Sequence, residues 1–281
     1  IPAQRYENVV TKSAGDRHSV VHIYSRYCDS AEDRRLILNM HTSFLRTLCL
    51  ILILLVSLNQ NRGEASPPVY SGSRMVHTIA ITFDDGPHQI LTPALLDTLD
   101  ALDVKASFFL VGKMVDRYPA LVCEIYARGH TVANHSYWHN NSSLLSPEEF
   151  LDDLRRCSES IERNIPVRVR FFRPPGGNYT KNVLSLVEEA GMRTVLWDIN
   201  SRDYTGVSAA RMTARILSKV SPGSILLFHS GVSSTINALP EIVSSLRSKG
   251  FDFVTLDEML SGYSALLPHT TGSESSTLAR K

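Results

Sequence analysis

The chain has 281 residues, with 29 lysine and arginine against 28 aspartate and glutamate side chains, and 43% hydrophobic residues, the composition of an ordinary globular protein with an ample core. That balance of charge excludes the basic surplus of a nucleic-acid binder and gives no reason for tight binding to anionic membranes. Four cysteines are too few for a disulfide scaffold at this length, and the sequence leaves open whether Cys123 and Cys157 pair.

Residues 1–39 are polar, mixed in charge and aperiodic, and are expected to be an unstructured upstream extension. The first methionine is Met40, where we expect synthesis to start. Arg46, the apolar run Leu48–Val56 and the small residues Gly63 and Ala65 then follow the layout of a secretory signal over residues 40–65. The run is shorter than the ~18 residues of a membrane span. Cleavage before Ser66 and a secreted, periplasmic or cell-envelope location are therefore expected, with no stable membrane partner afterwards. An uncleaved anchor is the alternative.

From Ser66 onward strand-like and helix-like segments alternate. Val76–Phe83 is apolar and β-branched, and Thr92–Leu102 has helical spacing. Ala106–Val111 reads as a buried strand, and Asp116–Arg128 as one helix stopped by Gly129. After the strand Thr131–Asn134, Ser146-Pro147-Glu148-Glu149 opens a helix with a serine cap, a first-turn proline and a glutamate completing the capping box. Strands at 169–172, 194–197, 224–228 and 251–255 alternate with helices at 181–190, 208–220 and 239–249. The Ser/Thr-rich tail 263–281 is expected to be disordered, leaving one domain over 66–262. Roughly seven βα units predict an α/β fold with a parallel sheet, open or closed into a barrel.

Unusual polar residues cluster at the predicted strand ends. Asp84-Asp85, His135, Arg173, Asp198/Asp203 and His229 each lie just past the C-terminal end of a different strand, the rim on which α/β barrels build active sites. In Thr82-Phe83-Asp84-Asp85-Gly86-Pro87, strand alternation would give the adjacent carboxylates different jobs, one on a metal and one beside it; an acidic turn is the plainer reading. His135 and His139, four apart in Asn134-His135-Ser136-Tyr137-Trp138-His139, would face one ion from a helical turn. Two imidazoles and Asp85 with open positions suit catalytic zinc, and equally a non-haem iron triad. In Phe172-Arg173-Pro174-Pro175-Gly176-Gly177 the prolines stiffen a backbone that the glycines let a ligand approach, and Arg173 can hold a carboxylate through its fork. His229, closing Leu227-Phe228-His229-Ser230, suits a general acid if a neighbouring strand end supplies a carboxylate. Trp197-Asp198-Ile199-Asn200-Ser201-Arg202-Asp203-Tyr204 offers two.

In these five stretches, in this order, the chain resembles the polysaccharide deacetylase family, which shares the NodB homology domain (carbohydrate esterase family 4), over about Val76–Glu258. The resemblance implies a distorted (β/α) barrel, consistent with about seven parallel strands. It also implies hydrolysis of N-acetyl groups on N-acetylglucosamine in peptidoglycan, chitin or shorter oligomers. It assigns Asp84 as general base and Asp85, His135 and His139 as ligands of a divalent metal, usually zinc. Arg173 would orient Asp84, the N–H of Gly176 would bind the oxyanion, and His229 would be the acid tuned by Asp203. Leu227 and Tyr204 would wall the substrate pocket, with Pro175 and Trp197 also at the substrate. Asn200, Tyr204 and Ser230 depart from the aspartate, tryptophan and aspartate frequent at those positions, which bears on substrate fit and rate. O-deacetylation of acetylxylan, a catalytically idle sugar-binding barrel and an iron oxygenase are the competing readings. The full set of ligands, base and acid argues against the idle barrel, and an oxygenase has no need of Arg173, Gly176 and His229.

Overall fold

A computed structural model of the protein describes residue 40 and residues 42–51 and 65–261. Met40 and residues 42–51 are helical with exposed side chains, and no described helix is long and apolar enough to cross a membrane. The rest of the expected extension, most of the expected signal and the tail lie outside the described residues. Residues 65–261 belong to a second unit that carries the whole sheet.

That sheet contains β1 (Thr78–Gly86), β2 (Ser107–Leu110), β3 (Thr131–Asn134), β4 (Phe171–Phe172), β5 (Arg193–Thr194), β6 (Ile199–Asn200), β7 (Ile225–His229) and β8 (Asp252–Phe253). The strands are parallel in the order β5-β4-β3-β2-β1-β7-β6, with β8 paired to the start of β1. Helices α1 (Leu91–Ala101), α2 (Gly112–Arg117), α3 (Pro119–Ala127), α4 (Pro147–Glu162), α5 (Lys181–Glu189), α6 (Ala209–Leu217), α7 (Ser233–Ser248) and α8 (Leu256–Leu260) connect or follow them. The result is the distorted (β/α) barrel expected, curled and open between β5 and β6.

Period-two alternation divides the apolar residues into two cores. Ile79, Ile81 and Phe83 of β1 join Phe108, Leu110, Val132 and the helix faces in one cluster. Ala80 joins Phe109, Ala133, Phe171, Val195 and Ile225 in the other, inside the curl. Burial of a large aliphatic or aromatic side chain contributes about 1.5–3 kcal/mol, so the outer cluster dominates stability. The inward series matters for the site. Continuing it along β1 gives Thr82 and Asp84, along β3 it leads to His135, and along β7 to Leu227 and His229.

Several boundaries differ from the sequence reading. The helix expected over Asp116–Arg128 is two helices, because Pro119 lacks an N–H and pushes Tyr118 out of helical geometry (φ −133°, ψ 56°). The strand expected at 194–197 is split: Val195 and Leu196 bond to Phe172 and Val69 through their N–H groups, and ladder pairing with β7 resumes only at Ile199. Helix α7 starts at Ser233, ahead of the expected Leu239, through a polar first turn that hides its period, with Pro240 exposed in its interior. The capping box at Ser146 and Glu149 forms as expected. Cys123 and Cys157 do not pair; both are free, and burial pushes the Cys157 thiol up.

Candidate active site

Asp84 ends the inward series of β1 and is 3% exposed. Its Oδ1 accepts from Arg173 Nη1 at 2.7 Å. Arg173, at the end of β4, is fully buried, and its other donors are also used: Nη1 to Thr82 Oγ1 (2.8 Å), Nε to the Val195 carbonyl (3.0 Å) and Nη2 to the Leu196 carbonyl (2.9 Å). The guanidinium lies 3.9 Å from the centre of the Phe109 ring. Arg173 thus satisfies two carbonyls at the open seam while neutralising Asp84, which a buried charge requires. Asp84 Oδ2 is left facing the site.

Asp85 departs from strand alternation. Its φ is +71°, and the β1–β2 register shifts between Phe83 and Gly86. Both carboxylates therefore converge on one imidazole: His135 Nε2 lies 3.6 Å from Asp84 Oδ2 and 3.5 Å from Asp85 Oδ1. His139 Nε2 is 3.0 Å from the same Asp85 oxygen. The two histidines do not share a helical turn as expected. They sit on a loop after β3 in which Ser136 (φ +66°) and His139 (φ +62°) are left-handed. Three non-glycine residues in that region around one cluster is strain of the kind found at functional sites.

The cluster fits a metal ion. One ligand atom each from Asp85, His135 and His139 lies within 4.8 Å of the others. Ligands ~2.1 Å from a tetrahedral ion are ~3.4 Å apart, close to the separations found. His135 Nδ1 is 2.7 Å from the Arg173 carbonyl, which only accepts, so Nδ1 carries the proton and Nε2 offers its lone pair. Hydrogen bonds from His135 and His139 outweigh the burial that opposes them and hold the Asp85 carboxyl well below the usual range.

Residues that the sequence reading missed hold this loop. Asp153 of α4, buried, accepts from Tyr137 N (2.8 Å) and Trp138 N (3.0 Å). Asn134 Oδ1 accepts from Ser136 N, and Ser136 Oγ accepts from His139 N, each at 2.8 Å. Asp153 lies on the inner face of an acidic helix, and only its burial distinguishes it from its neighbours.

Across β1, register pairs Asp84 with His229 of β7. Asp203, 1% exposed, accepts four hydrogen bonds: from His229 Nδ1 (2.8 Å), His229 N (2.7 Å), Thr235 Oγ1 (2.7 Å) and Tyr204 N (2.9 Å). Burial lowers the His229 pKa, but the Asp203 carboxylate, with Asp84 and Asp85 further off, raises it above its ordinary value overall. Asp203 shifts down in turn, burial being outweighed by His229 and Thr235. Thr235, on α7, carries no motif signal. Asp198 is not at this rim. It accepts from Ile225 N (2.8 Å), at the start of β7, and pairs with Arg74, so it latches the opposite end of the strand.

The remaining expected residues lie beside Arg173 and His229. Gly176 is exposed at φ +64°, while Pro175 is buried. A Cβ on Gly177 would come within 2.9 Å of Trp197, which is half-buried beside Arg173. Leu227 is buried two residues before His229, and the Tyr204 ring stands 5.1 Å from the His229 ring and is 58% exposed. Ser230 Oγ is buried without a partner among the described residues.

A parallel barrel whose strand ends bring together three side chains able to hold a metal ion, an arginine-held carboxylate and a carboxylate-held histidine has the parts of a hydrolase site. Residues 72–195 match the family model for polysaccharide deacetylase. The chain is 35% identical over 194 residues to a peptidoglycan-N-acetylglucosamine deacetylase of Bacillus cereus, covering 68% of this chain and 70% of that protein. It is 32% identical over 220 residues to a chitooligosaccharide deacetylase of Bradyrhizobium sp., covering 73% and 97%. The structure of a peptidoglycan N-acetylglucosamine deacetylase bound to 4-naphthalen-1-yl-N-oxidanyl-benzamide superposes with a TM-score of 0.67 at 35% identity, covering 68% and 91%. A CE4 family pseudoenzyme from Bacillus anthracis gives the same TM-score, 0.67, at 30% identity over 69% of each chain. The chain belongs to the polysaccharide deacetylase family. Because a pseudoenzyme shares the barrel, activity has to be argued from the site residues.

Proposed function

We propose that this protein hydrolyses the N-acetyl group of N-acetylglucosamine residues in peptidoglycan or chitin-type chains, with Asp85, His135 and His139 holding zinc. The observation that carries this reading is the pairing of Asp84 with His229 on adjacent strands beside the three metal ligands. A bound divalent ion supplies Lewis acidity, polarising an acetamide carbonyl and acidifying water. Arg173 occupies Asp84 Oδ1, so Oδ2 is the oxygen that takes the proton from the attacking water. Gly176, exposed after Arg173, supplies its N–H to the oxyanion as the carbonyl becomes tetrahedral. His229 gives Nδ1–H to Asp203 and delivers the Nε2 proton to the departing amine. Leu227, Pro175, Trp197 and Tyr204 enclose the acetyl group and its sugar. The substrate class is supported by the two relatives above, one acting on peptidoglycan and one on chitooligosaccharide.

The test is acetate release from chitin oligomers, peptidoglycan and acetylxylan, with and without chelator. Metal-dependent release from the first two supports the reading; release from acetylxylan alone replaces it with ester hydrolysis. We further propose export with cleavage before Ser66, on the strength of Arg46, the apolar run and Ala65. N-terminal sequencing of secreted protein beginning at Met40 instead would mean an anchor.

A further inference from the structure

Trp138 immediately precedes the ligand His139 yet is 49% exposed. The inward neighbour Tyr137 is buried and does the packing of this loop, so half of the indole stays open next to the ligand His139. Trp138 is also held in place. Its N–H donates to Asp153 Oδ1 at 3.0 Å, and Lys113 Nζ donates to its carbonyl at 3.3 Å. The indole stands edge-on to the Tyr137 ring (centroids 4.8 Å apart, 82°), and the Arg156 guanidinium sits 5.1 Å from its centroid. A rigid indole with exposed surface loses little entropy when a flat, partly apolar ligand settles on it.

The sheet order puts the loops that carry Trp138 and Tyr204 on opposite sides of β1. Trp138 follows β3 and Tyr204 follows β6, and each strand lies two places from β1, which carries Asp84 and Asp85. At ~4.8 Å between strands, the backbone at Trp138 is ~10 Å of sheet from that of Asp84, about the span of one further sugar, whereas the Tyr204 ring comes within 5.1 Å of the His229 ring and belongs to the sugar being deacetylated. We propose that Trp138 is the stacking platform of an outer subsite, binding a neighbouring sugar of the N-acetylglucosamine chain whose acetyl group occupies the site. This rests on the deacetylase reading and extends it: the enzyme selects oligomers over short substrates, and Trp138 supplies part of that selection.

The experiment compares Trp138→Ala and Trp138→Phe with the parent, all loaded to equal zinc content, on the N-acetylglucosamine disaccharide and hexamer. In Trp138→Ala the ratio of kcat/KM for hexamer to that for disaccharide falls about tenfold, the upper range of an aromatic contact, while Trp138→Phe retains most of it. Binding is read separately in the Asp84→Asn background, where Trp138 and Trp197 are the only fluorophores of their type. Hexamer shifts tryptophan emission there beyond the shift given by disaccharide, which Trp197 beside the reacting sugar also reports, and adding Trp138→Phe removes that difference. An equal fall on both substrates, or a hexamer-over-disaccharide emission difference that survives Trp138→Phe, overturns the platform. Failure of the parent to release acetate from any N-acetylated oligomer overturns the deacetylase reading instead.

Discussion

Replacing Asp203 by asparagine tests the assignment of His229 most directly. The carboxylate accepts from both the ring and the backbone of His229, from Thr235 and from Tyr204, with almost no exposure to water. Asparagine keeps the shape but has one oxygen, so at least one of those donors loses its partner, and the negative charge is gone. Three influences act on the imidazolium: burial opposes it, Asp203 favours it by hydrogen bond and charge, and Asp84 and Asp85 favour it from further away. A bound divalent ion cancels the share of Asp85, and Arg173 offsets that of Asp84. Asp203 is then the partner that holds the pKa above its ordinary value. An opposite charge in contact is worth ~1–3 pH units, so the alkaline limb of the rate profile should move to lower pH by at least ~1 unit. Each unit that the limb falls below the assay pH costs about tenfold in rate, because the protonated fraction falls by that factor. Asn200 is neutral and donates nothing to this pair, so Asn200→Ala leaves the limb in place. The assay is acetate release from an N-acetylglucosamine oligomer across pH, with metal saturating. An alkaline limb unmoved by Asp203→Asn would refute the role of His229 as acid.

Chelation should abolish acetate release and zinc should restore it; His135→Ala should lose bound zinc by metal analysis, whereas Asp84→Asn keeps it and loses turnover. Arg173→Lys cannot serve Asp84, Thr82, Val195 and Leu196 at once and leaves buried acceptors bare, so denaturant unfolding should report a loss of about 3–5 kcal/mol. Unchanged stability would mean that the seam is satisfied in another way. Asp153→Ala strands the N–H groups of Tyr137 and Trp138, costs about 1–3 kcal/mol, and should weaken zinc binding about 10–100-fold by titration, with activity returning at high zinc. Wild-type zinc affinity in that variant would show that the histidine loop holds its shape without the clamp.

The sequence by itself determined the class of fold and which polar residues close its strands. Alternating strand and helix patterns are local signals, and large residues at Ile79, Ile81 and Phe83 interleaved with Ala80, Thr82 and Asp84 already mark two faces of one strand. The rim residues Asp84, Asp85, His135, Arg173 and His229 were legible because polar groups closing apolar strands are costly without a use. Tertiary structure alone decided how they meet. Strand alternation argued that Asp84 and Asp85 diverge, and helical spacing put His135 and His139 on one turn. Positive φ at Asp85, Ser136 and His139 overrides both, and such conformations persist only when surrounding contacts impose them. In the histidine loop part of those contacts come from Asp153, 14 residues beyond His139 in sequence, which holds the N–H groups of Tyr137 and Trp138 between the two left-handed residues. The choice between Asp198 and Asp203 was equally nonlocal: both are acidic and flank β6, but one meets the start of β7 and the other its end. A carboxylate's partners are set by which strand ends the sheet brings together, and no local pattern encodes that.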